Sequence, residues 1–348
     1  MPSDIRTTLQ ALCGLAAFCV TAAHAQSPAL ASVSEAVTGP TEPSATQPFE
    51  YGDVFVGATL LNDPQDDHAG RGRILQFDAD LNLKRVIWID GTTHLVNGLK
   101  VAPDGTLWAF DLWARTTVRI APDGRQLPNL QYAERPLSGV FFANDGSLIL
   151  TEALIGENQP LPNTTRYPVL PGESTKLGDG DIYRFDSEGR LLTVYDPEVD
   201  GGMTGSFAIS HSAWSADHES LIYVSETGSR VMRYDVVNRR QLADIPREQV
   251  LPPQMHFALA SVSGARLLIT MGNRLELIDE SGDELRTYPL EGFGWSLTAL
   301  SPDEKFAYVG NWFNGKLGKL DLAGGEFASV ADACIKCMAS IAVFGKKD

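Results

Sequence analysis

Cysteine and positive charge are both scarce in this sequence of 348 residues. Only four cysteines occur, at positions 13, 19, 334 and 337, which excludes a small fold built on a disulfide framework. Lys and Arg number 28 against 44 Asp and Glu, for a net charge of -16. Nucleic-acid phosphates and anionic lipid both attract clusters of basic side chains. The charge balance therefore predicts that the protein has no nucleic-acid partner and does not dock on anionic membranes.

Long apolar runs are also missing. The run over residues 11–23 is too short to cross a bilayer as a helix. It follows Arg6 and ends in the small-residue triplet Ala23-His24-Ala25, which is the pattern of a cleaved export signal over residues 1–25. Residues 26–48 carry almost no large apolar side chain and predict a flexible lead-in. We expect a periplasmic or secreted protein without membrane insertion, whose residues 49–348 form the folded domain.

Two cysteines remain after such cleavage, in the segment Cys334-Ile335-Lys336-Cys337. Attachment of a c-type haem would need a histidine next, and Met338 stands there instead. A redox-active pair is a second interpretation, although no thioredoxin-like βαβ pattern surrounds the segment. A structural disulfide in an oxidising compartment is the interpretation that we favour.

A phrase of about forty residues recurs from residue 49 onward. Its copies start at positions 97, 138, 211, 256 and 296, which are 41, 73, 45 and 40 residues apart, and the longest interval holds an insertion. Each copy contains a short apolar strand, a turn often rich in Asp and Gly, and further β-branched or aromatic strands. Four short strands in about forty residues is typical of a β-propeller blade, and no segment shows a helical period.

The two ends of the chain predict how the ring closes. Only three strands precede the first full copy, at residues 53–60, 73–78 and 84–89, and one strand is left over at residues 339–344. The left-over strand matches the first strand of the repeat and would complete the N-terminal blade. The sequence thus predicts an all-β fold, a six-bladed β-propeller with four antiparallel strands per blade, closed without free sheet edges.

The first strand of each blade lines the central channel, so its first residue should face the channel mouth. These residues are Asn97, Ser138, His211, His256, Ser296 and Ala339. Imidazole nitrogen and amide oxygen both donate lone pairs to metals, so Asn97, His211 and His256 are the predicted metal ligands. The alternative is that these polar side chains only fill a hydrated channel.

Acidic residues recur near the ends of the second strands, at Asp111, Glu152 and Glu226. A carboxylate near a cation or in a dry pocket can act as a general acid or base. Glu226 is the first candidate, because its blade also supplies His211, and Asp111 and Glu152 are the others. Each could equally cap a neighbouring strand or pair with an arginine.

Three long loops are expected on the same face of the ring. They are the insertion at residues 155–180, the crossover at 196–210 and the segment at 62–71. Long loops in a compact domain usually carry function. His218, in contrast, is expected in a turn on the opposite face.

Two phrases resemble a known group of propellers. They are Asn97-Gly-Leu-Lys-Val-Ala-Pro-Asp-Gly105 and the segment from Leu221 to Tyr234. They are similar to the superfamily of gluconolactonases, senescence marker proteins and luciferin-regenerating enzymes, and to strictosidine-synthase-like propellers. Such a resemblance covers most of residues 50–345, but the motifs are short.

The resemblance implies a divalent cation at the channel mouth, usually calcium, that activates a lactone ester toward water. Asn97 matches an Asn-Gly ligand motif of the family. His211 stands where a second Asn is usual, His256 where an Asp is usual, and Ala339 where a Glu is usual. With the carboxylate ligands of the family absent, the two histidines favour zinc over calcium, as in propeller lyases.

We therefore expect an exported, metal-assisted hydrolase of the lactone or ester type, acting on a small molecule with Zn or Ca as cofactor. The first alternative is a lyase that uses the same metal site. The second is a non-catalytic binding or assembly propeller in the envelope.

Overall fold

The computed structural model describes residues 39, 47–63, 66–92, 96–112, 114–130, 135–153, 180–200, 208–226, 228–247 and 254–345. The predicted export signal, almost all of the predicted lead-in and almost all of the predicted insertion lie outside these ranges. The described ranges consist of strands, turns and irregular segments. They contain no helix long and apolar enough to cross a membrane.

Six antiparallel sheets form the blades of a propeller, within residues that form one compact unit, 35–348. Blade 1 joins the end of the chain to its beginning, in the spatial order β23 (Met338–Val343), β1 (Val54–Asp63), β2 (Asp66–Phe77) and β3 (Leu83–Trp88). Blade 2 contains β4 (Val96–Val101), β5 (Leu107–Asp111) and β6 (Thr116–Ile120). Blade 3 contains β7 (Leu137–Phe142), β8 (Leu148–Glu152), β9 (Ile182–Phe185) and β10 (Leu191–Tyr195).

The other three blades follow in chain order. Blade 4 contains β11 (His211–Trp214), β12 (Ser220–Val224), β13 (Met232–Asp235) and β14 (Arg240–Leu242). Blade 5 contains β15 (Leu259–Val262), β16 (Arg266–Thr270), β17 (Arg274–Asp279) and β18 (Glu284–Pro289). Blade 6 contains β19 (Trp295–Leu300), β20 (Phe306–Asn311), β21 (Lys316–Asp321) and β22 (Phe327–Asp332). In blade 2 a fourth edge is present only as the isolated bridges Thr117↔Leu130 and Ile120↔Gln126.

The predicted closure of the ring is confirmed. Strand β23 pairs with β1 through Val54↔Val343 and Gly57↔Ser340. Cys334 and Cys337 are paired as a disulfide just before β23, and both side chains are buried. The chain ends are therefore joined inside one blade, which leaves no open edge at the point of closure.

Burial falls from the middle strands of a blade to its outermost strand. The middle strands are packed on both faces by neighbouring blades, whereas the outermost strand lies at the rim of the ring. Every residue of the second strand β5 is buried, whereas burial alternates strictly along the outermost strand β22. The hydrophobic core is accordingly divided among the interfaces between blades. One cluster joins Phe141 of blade 3 to Trp214 and Tyr223 of blade 4.

The recurring Asp-Gly pairs form the turns between first and second strands. In blade 2 the backbone N–H of Thr106 donates to Asp104 Oδ1 at 2.9 Å, and Gly105 has φ +83°. Blade 3 repeats this arrangement with Asp145 and Gly146. The carboxylate closes the turn and glycine accepts the positive φ without steric cost.

The predicted loop at residues 62–71 is wrong. Strands β1 and β2 continue as a hairpin, with Leu61 opposite Gly70 and a final pair Asp63↔Asp66. Glycine here does not mark a loop, because a Cβ on Gly70 would lie 2.1 Å from the Leu60 carbonyl oxygen. Close approach of two strand backbones can require glycine inside a strand.

Candidate functional site

The six inner strands surround a central cavity of about 350 Å³. These strands are β4, β7, β11, β15, β19 and β23. One end of the cavity is lined by Ser138 and His211, at the starts of their strands. The other end reaches His218 and Gly264, in the turns that follow the inner strands. The first of these ends belongs to the face on which the sequence predicts a site.

Backbone register defines which residues share a level in the channel. In blades 1, 3 and 6 one inner-strand residue is skipped by the pairing, as in a β-bulge: Ala339, Ser138 and Ser296. In blade 2 the pairing shifts just after Asn97. In blades 2, 3 and 6 this residue directly follows the partner of the last residue of the second strand, and in blade 1 Ala339 follows Met338, the partner of Ala58. Four of the six predicted channel-mouth residues therefore do occupy equivalent positions.

The assignment of His211 and His256 to that same level is wrong. His211 pairs with Val224, and Ser210 instead takes the common position, because its hydroxyl donates to Val224 O as Ser138 donates to Thr151 O. In blade 5, the backbone N–H of Phe257 donates to Thr270 O, and His256 precedes this position. The two histidines thus lie one residue to either side of the common level. Sequence spacing alone cannot reveal a one-residue shift in register.

His211 is half-buried, and neither of its ring nitrogens has a hydrogen-bond partner. Burial lowers the pKa of the ring to about 4, and the nearby backbone of Phe257 offsets only part of this effect. The imidazole is consequently neutral at pH 7 and has a free lone pair. The Phe257 contact also brings His211 next to the blade that carries His256.

His256 is completely buried, and its Nδ1 lies 3.2 Å from the carbonyl oxygen of Gly228. A carbonyl can only accept, so Nδ1 carries the proton and Nε2 holds a lone pair. Nε2 has no partner. Burial, together with the positive charge of Arg247, lowers the pKa of this ring to about 4. A neutral imidazole oriented through its other nitrogen is the usual form of a histidine metal ligand.

Asn97 is a third side chain with an unpartnered atom that could bind a metal ion. Its side chain is 8% exposed, and its Oδ1 is buried without a hydrogen-bond partner. Within the described ranges, no three His, Cys, Asp or Glu side chains are grouped so that they could hold a metal ion. A metal site built within these ranges would therefore need ligands besides those four residue types, such as an amide or backbone oxygen.

Among the predicted catalytic acids, Glu152 has the most unusual environment. Its side chain is completely buried, and its Oε2 accepts hydrogen bonds from Gly180 N, Asp181 N and Tyr183 Oη at 3.3, 3.2 and 3.1 Å. Its Oε1 has no hydrogen-bond partner and lies 3.8 Å from an Arg135 nitrogen. Burial raises the pKa of this carboxyl to about 7 despite the arginine. Glu152 can therefore both donate and accept a proton near neutral pH.

Asp111 and Glu226 are placed differently. Asp111 Oδ1 accepts from Ala114 N at 2.9 Å and closes the turn after β5, which is the capping role. Glu226 is half-buried and lies one residue beyond Ser225, the residue that takes the position equivalent to Asp111 and Glu152. Its expected place at the level of these acids is therefore wrong.

A charged cluster beside His256 was not expected from the sequence. The buried carboxylate of Glu276 pairs with both Arg247 and Arg274, the latter at 2.6 Å. Two guanidinium groups on one carboxylate leave a net positive charge, which helps to keep His256 neutral. Arg274 and Glu276 lie two residues apart on β17, and Arg247 joins them from the crossover before β15, so that no local motif marks the complete cluster.

Comparison with known proteins supports the fold. No family model and no curated protein matches the chain. A Bacteroides caccae protein of unknown function has a TM-score of 0.58 at 15% identity, over 85% of this chain and 99% of its own. A gluconolactonase from Xanthomonas campestris has a TM-score of 0.52 at 16% identity, over 75% and 84%. A chain of a nidogen–laminin complex has a TM-score of 0.54 at 12% identity, over 85% and 100%.

The chain is thus a six-bladed β-propeller whose structural neighbours include a gluconolactonase. The nidogen–laminin chain is matched about as well as the gluconolactonase. Similarity at this identity establishes the fold, and the function has to be argued from the residues of the site.

Proposed function

We propose that this protein is an exported, metal-assisted hydrolase of small lactones or esters. The observation that carries the proposal is the set of unpartnered donor atoms on Asn97, His211 and His256. Buried polar atoms normally have partners, and leaving one without a partner costs about 1–3 kcal/mol. Four such atoms on three neutral side chains from different blades are best explained by a ligand.

The donor set fits a borderline cation better than calcium. Calcium prefers six to eight oxygen ligands, whereas imidazole nitrogen suits zinc and related metals. Asn97, His211 and His256 would hold the ion. A bound cation would polarise the ester carbonyl and lower the pKa of a water molecule to about 7.

Proton transfer is assigned to Glu152. Because burial raises its pKa to about 7, comparable amounts of acid and carboxylate are present at neutral pH. A group with this pKa is suited to remove a proton from water and to return one to the leaving alcohol, which is typically worth about 10²–10⁴-fold in rate. Hydrogen bonds from two backbone N–H groups and from Tyr183 hold Oε2, so that Oε1 is the oxygen that is left to react.

The proposal is tested by metal analysis of the full chain purified without chelator, together with hydrolysis of a panel of lactones. We expect about one divalent ion per chain, lost in the double variant His211→Ala/His256→Ala and weakened in Asn97→Ala. Asn129→Ala is the matched control, because Asn129 is exposed on the surface of blade 2. Full metal content and full activity in the double variant would refute the proposal.

Water labelled with heavy oxygen separates the hydrolase from the alternative lyase. A hydrolase incorporates one labelled oxygen into its acid product, and a lyase incorporates none. Export is assigned on the predicted signal at residues 1–25, and N-terminal sequencing of the mature protein checks it.

A further inference from the structure

We infer that the opposite-face half of the central channel is a second small-molecule site, and that its ligand is an uncharged aromatic alcohol of about two rings. This site is independent of the proposed hydrolase chemistry. It is defined by the cavity, by an aromatic wall and by the hydroxyl groups that line the inner strands.

The entrance lies on the face opposite to Asn97. Ala216, His218, Ser263 and Gly264 line the cavity, and all four are exposed in the turns that follow β11 and β15. The whole channel cavity has a volume of about 350 Å³, at the lower end of the range of small-molecule pockets, roughly 300–1,000 Å³. A ligand that enters from this face and lies along the channel axis is therefore limited to a small molecule.

One wall of this half-channel is aromatic. The rings of Phe141 and Trp214 meet edge to face, with centroids 5.1 Å apart. At the entrance, the His218 ring stacks on Trp214 at 5.7 Å with only 2° between the planes. Edge-to-face and offset-stacked arrangements of this kind favour a flat ring as the next neighbour. Phe141 and Trp214 are largely buried between blades 3 and 4, so the stacked His218 ring at the entrance is the surface that favours an aromatic over an alicyclic ligand.

The position of the His218 ring is set by the turn between β11 and β12. The φ of His218 is +58°, at the turn position where blades 2 and 3 have Gly105 and Gly146 and blade 6 has Glu304 with φ +57°. Positive φ is thus a property of this turn in several blades. In blade 4 this conformation places the His218 ring flat against Trp214 at the entrance of the cavity.

The polar groups deeper in the channel mainly accept hydrogen bonds. The hydroxyl proton of Ser261 is donated to the carbonyl of Trp214 at 2.7 Å, so that the oxygen lone pairs of this serine remain. Thr298 Oγ1 is buried without a hydrogen-bond partner. A ligand hydroxyl can donate to these oxygens and satisfy the threonine.

The acidic groups at the entrance brace neighbouring turns. Glu280 accepts from Ala216 N at 2.8 Å, and Glu304 accepts from the hydroxyl of Ser263 at 2.5 Å. Arg266 donates to the Ser263 carbonyl at 2.8 Å. Lys100 also lines the cavity, and its ammonium lies 5.0 Å from the centroid of the Phe141 ring. Since these charged groups already have partners, the contacts of the ligand come from the apolar and hydroxyl-bearing walls, which favours an uncharged molecule.

The test is a calorimetric titration of the full chain with 2-naphthol. We expect saturable binding of one molecule per chain, weakened at least tenfold in Ala260→Leu and in Ala299→Leu, which add bulk to the cavity from two different blades. Ala323→Leu is the matched control, because it adds the same bulk to an exposed turn. Thermal unfolding verifies that each variant is folded before it is titrated.

Comparison of ligands tests the chemical class. 2-Decalol, which has the same hydroxyl on saturated rings, should bind about five- to tenfold more weakly, and 2-naphthoate should bind more weakly than 2-naphthol. Absence of saturable binding, equal affinity in both cavity-filling variants, or tighter binding of 2-decalol or 2-naphthoate would each overturn the assignment. Metal removal should leave 2-naphthol binding unchanged, which separates a failure here from a failure of the proposed hydrolase site.

Discussion

The buried carboxyl of Glu152 should make the stability of the protein depend on pH in a direction opposite to that of a paired acid. Its pKa rises from 4.5 to about 7 on folding, so the folded state binds the proton more tightly than the unfolded state. The contribution to stability is complete below pH 4.5 and is lost as the pH rises through 7. The shift corresponds to about 3 kcal/mol in total, of which about 2.5 kcal/mol is lost between pH 5 and pH 8.

Glu152→Gln removes this titration and keeps an amide oxygen to accept the three hydrogen bonds made to Oε2. Urea unfolding at pH 5, 6, 7 and 8 measures the free energy of unfolding of both proteins. The difference between wild type and variant should change by about 2.5 kcal/mol over this range, with the variant gaining relative stability at high pH. The difference cancels all other titrating groups.

Arg135→Gln is a control variant whose effect on the pH dependence of stability should be opposite to that of Glu152→Gln. The positive charge of Arg135 lowers the Glu152 pKa, so its removal should raise that pKa further and extend the loss of stability above pH 7. A Glu152→Gln profile parallel to that of wild type between pH 5 and 8 would refute the burial argument. An unchanged loss of stability between pH 7 and pH 8 in Arg135→Gln would refute the assigned electrostatic contact.

Three further predictions concern stability, measured by the same urea unfolding. Because burial lowers the His256 pKa to about 4, the contribution of His256 to the free energy of unfolding is present above pH 6.5 and falls by about 2 kcal/mol between pH 7 and pH 5. His256→Asn should remove this loss of stability, and a loss in the variant as large as that in wild type would contradict the prediction. Replacing Cys334 and Cys337 by serine opens a short loop and should cost about 2 kcal/mol, whereas an unchanged midpoint would exclude a stabilising disulfide. Gly98 has φ +61° and a Cβ there would lie 2.2 Å from a carbonyl oxygen of blade 3; Gly98→Ala should cost about 1–3 kcal/mol, and a neutral effect would contradict this packing.

The fold could be predicted from the sequence because a propeller repeats one local pattern. Each Asp-Gly turn and each apolar strand is specified by residues close in sequence, and the recurrence of this pattern about every forty residues gives the number of blades. The strand left over at the C-terminus also indicated the pairing of β23 with β1. The segment at residues 62–71 was misinterpreted, because glycines that admit a close strand neighbour look the same in sequence as glycines of a loop.

The site was predicted less well. Asn97, His211 and His256 are on separate blades, and a single skipped residue in some inner strands moves the histidines off the common level. The sequence favours Glu226 over Glu152 because the blade of Glu226 also supplies His211, yet the proton affinity of Glu152 depends on its burial and on Arg135. Neither the burial of a side chain nor its distance from an arginine elsewhere in the chain can be read from a short stretch of sequence.

The sequence by itself determined the number of blades, the way in which the ring closes and the residue types available at the channel. These features depend on local propensities and on the period of the repeat, and both can be read from the sequence without knowing any contact between distant residues. Only the tertiary structure decided that the two imidazoles are neutral, that Glu152 has a pKa of about 7 and that Trp214 and His218 form the wall of a cavity. Burial, register between blades and the pairing of charges arise when strands far apart in sequence are packed together, and these determine the chemistry of each side chain.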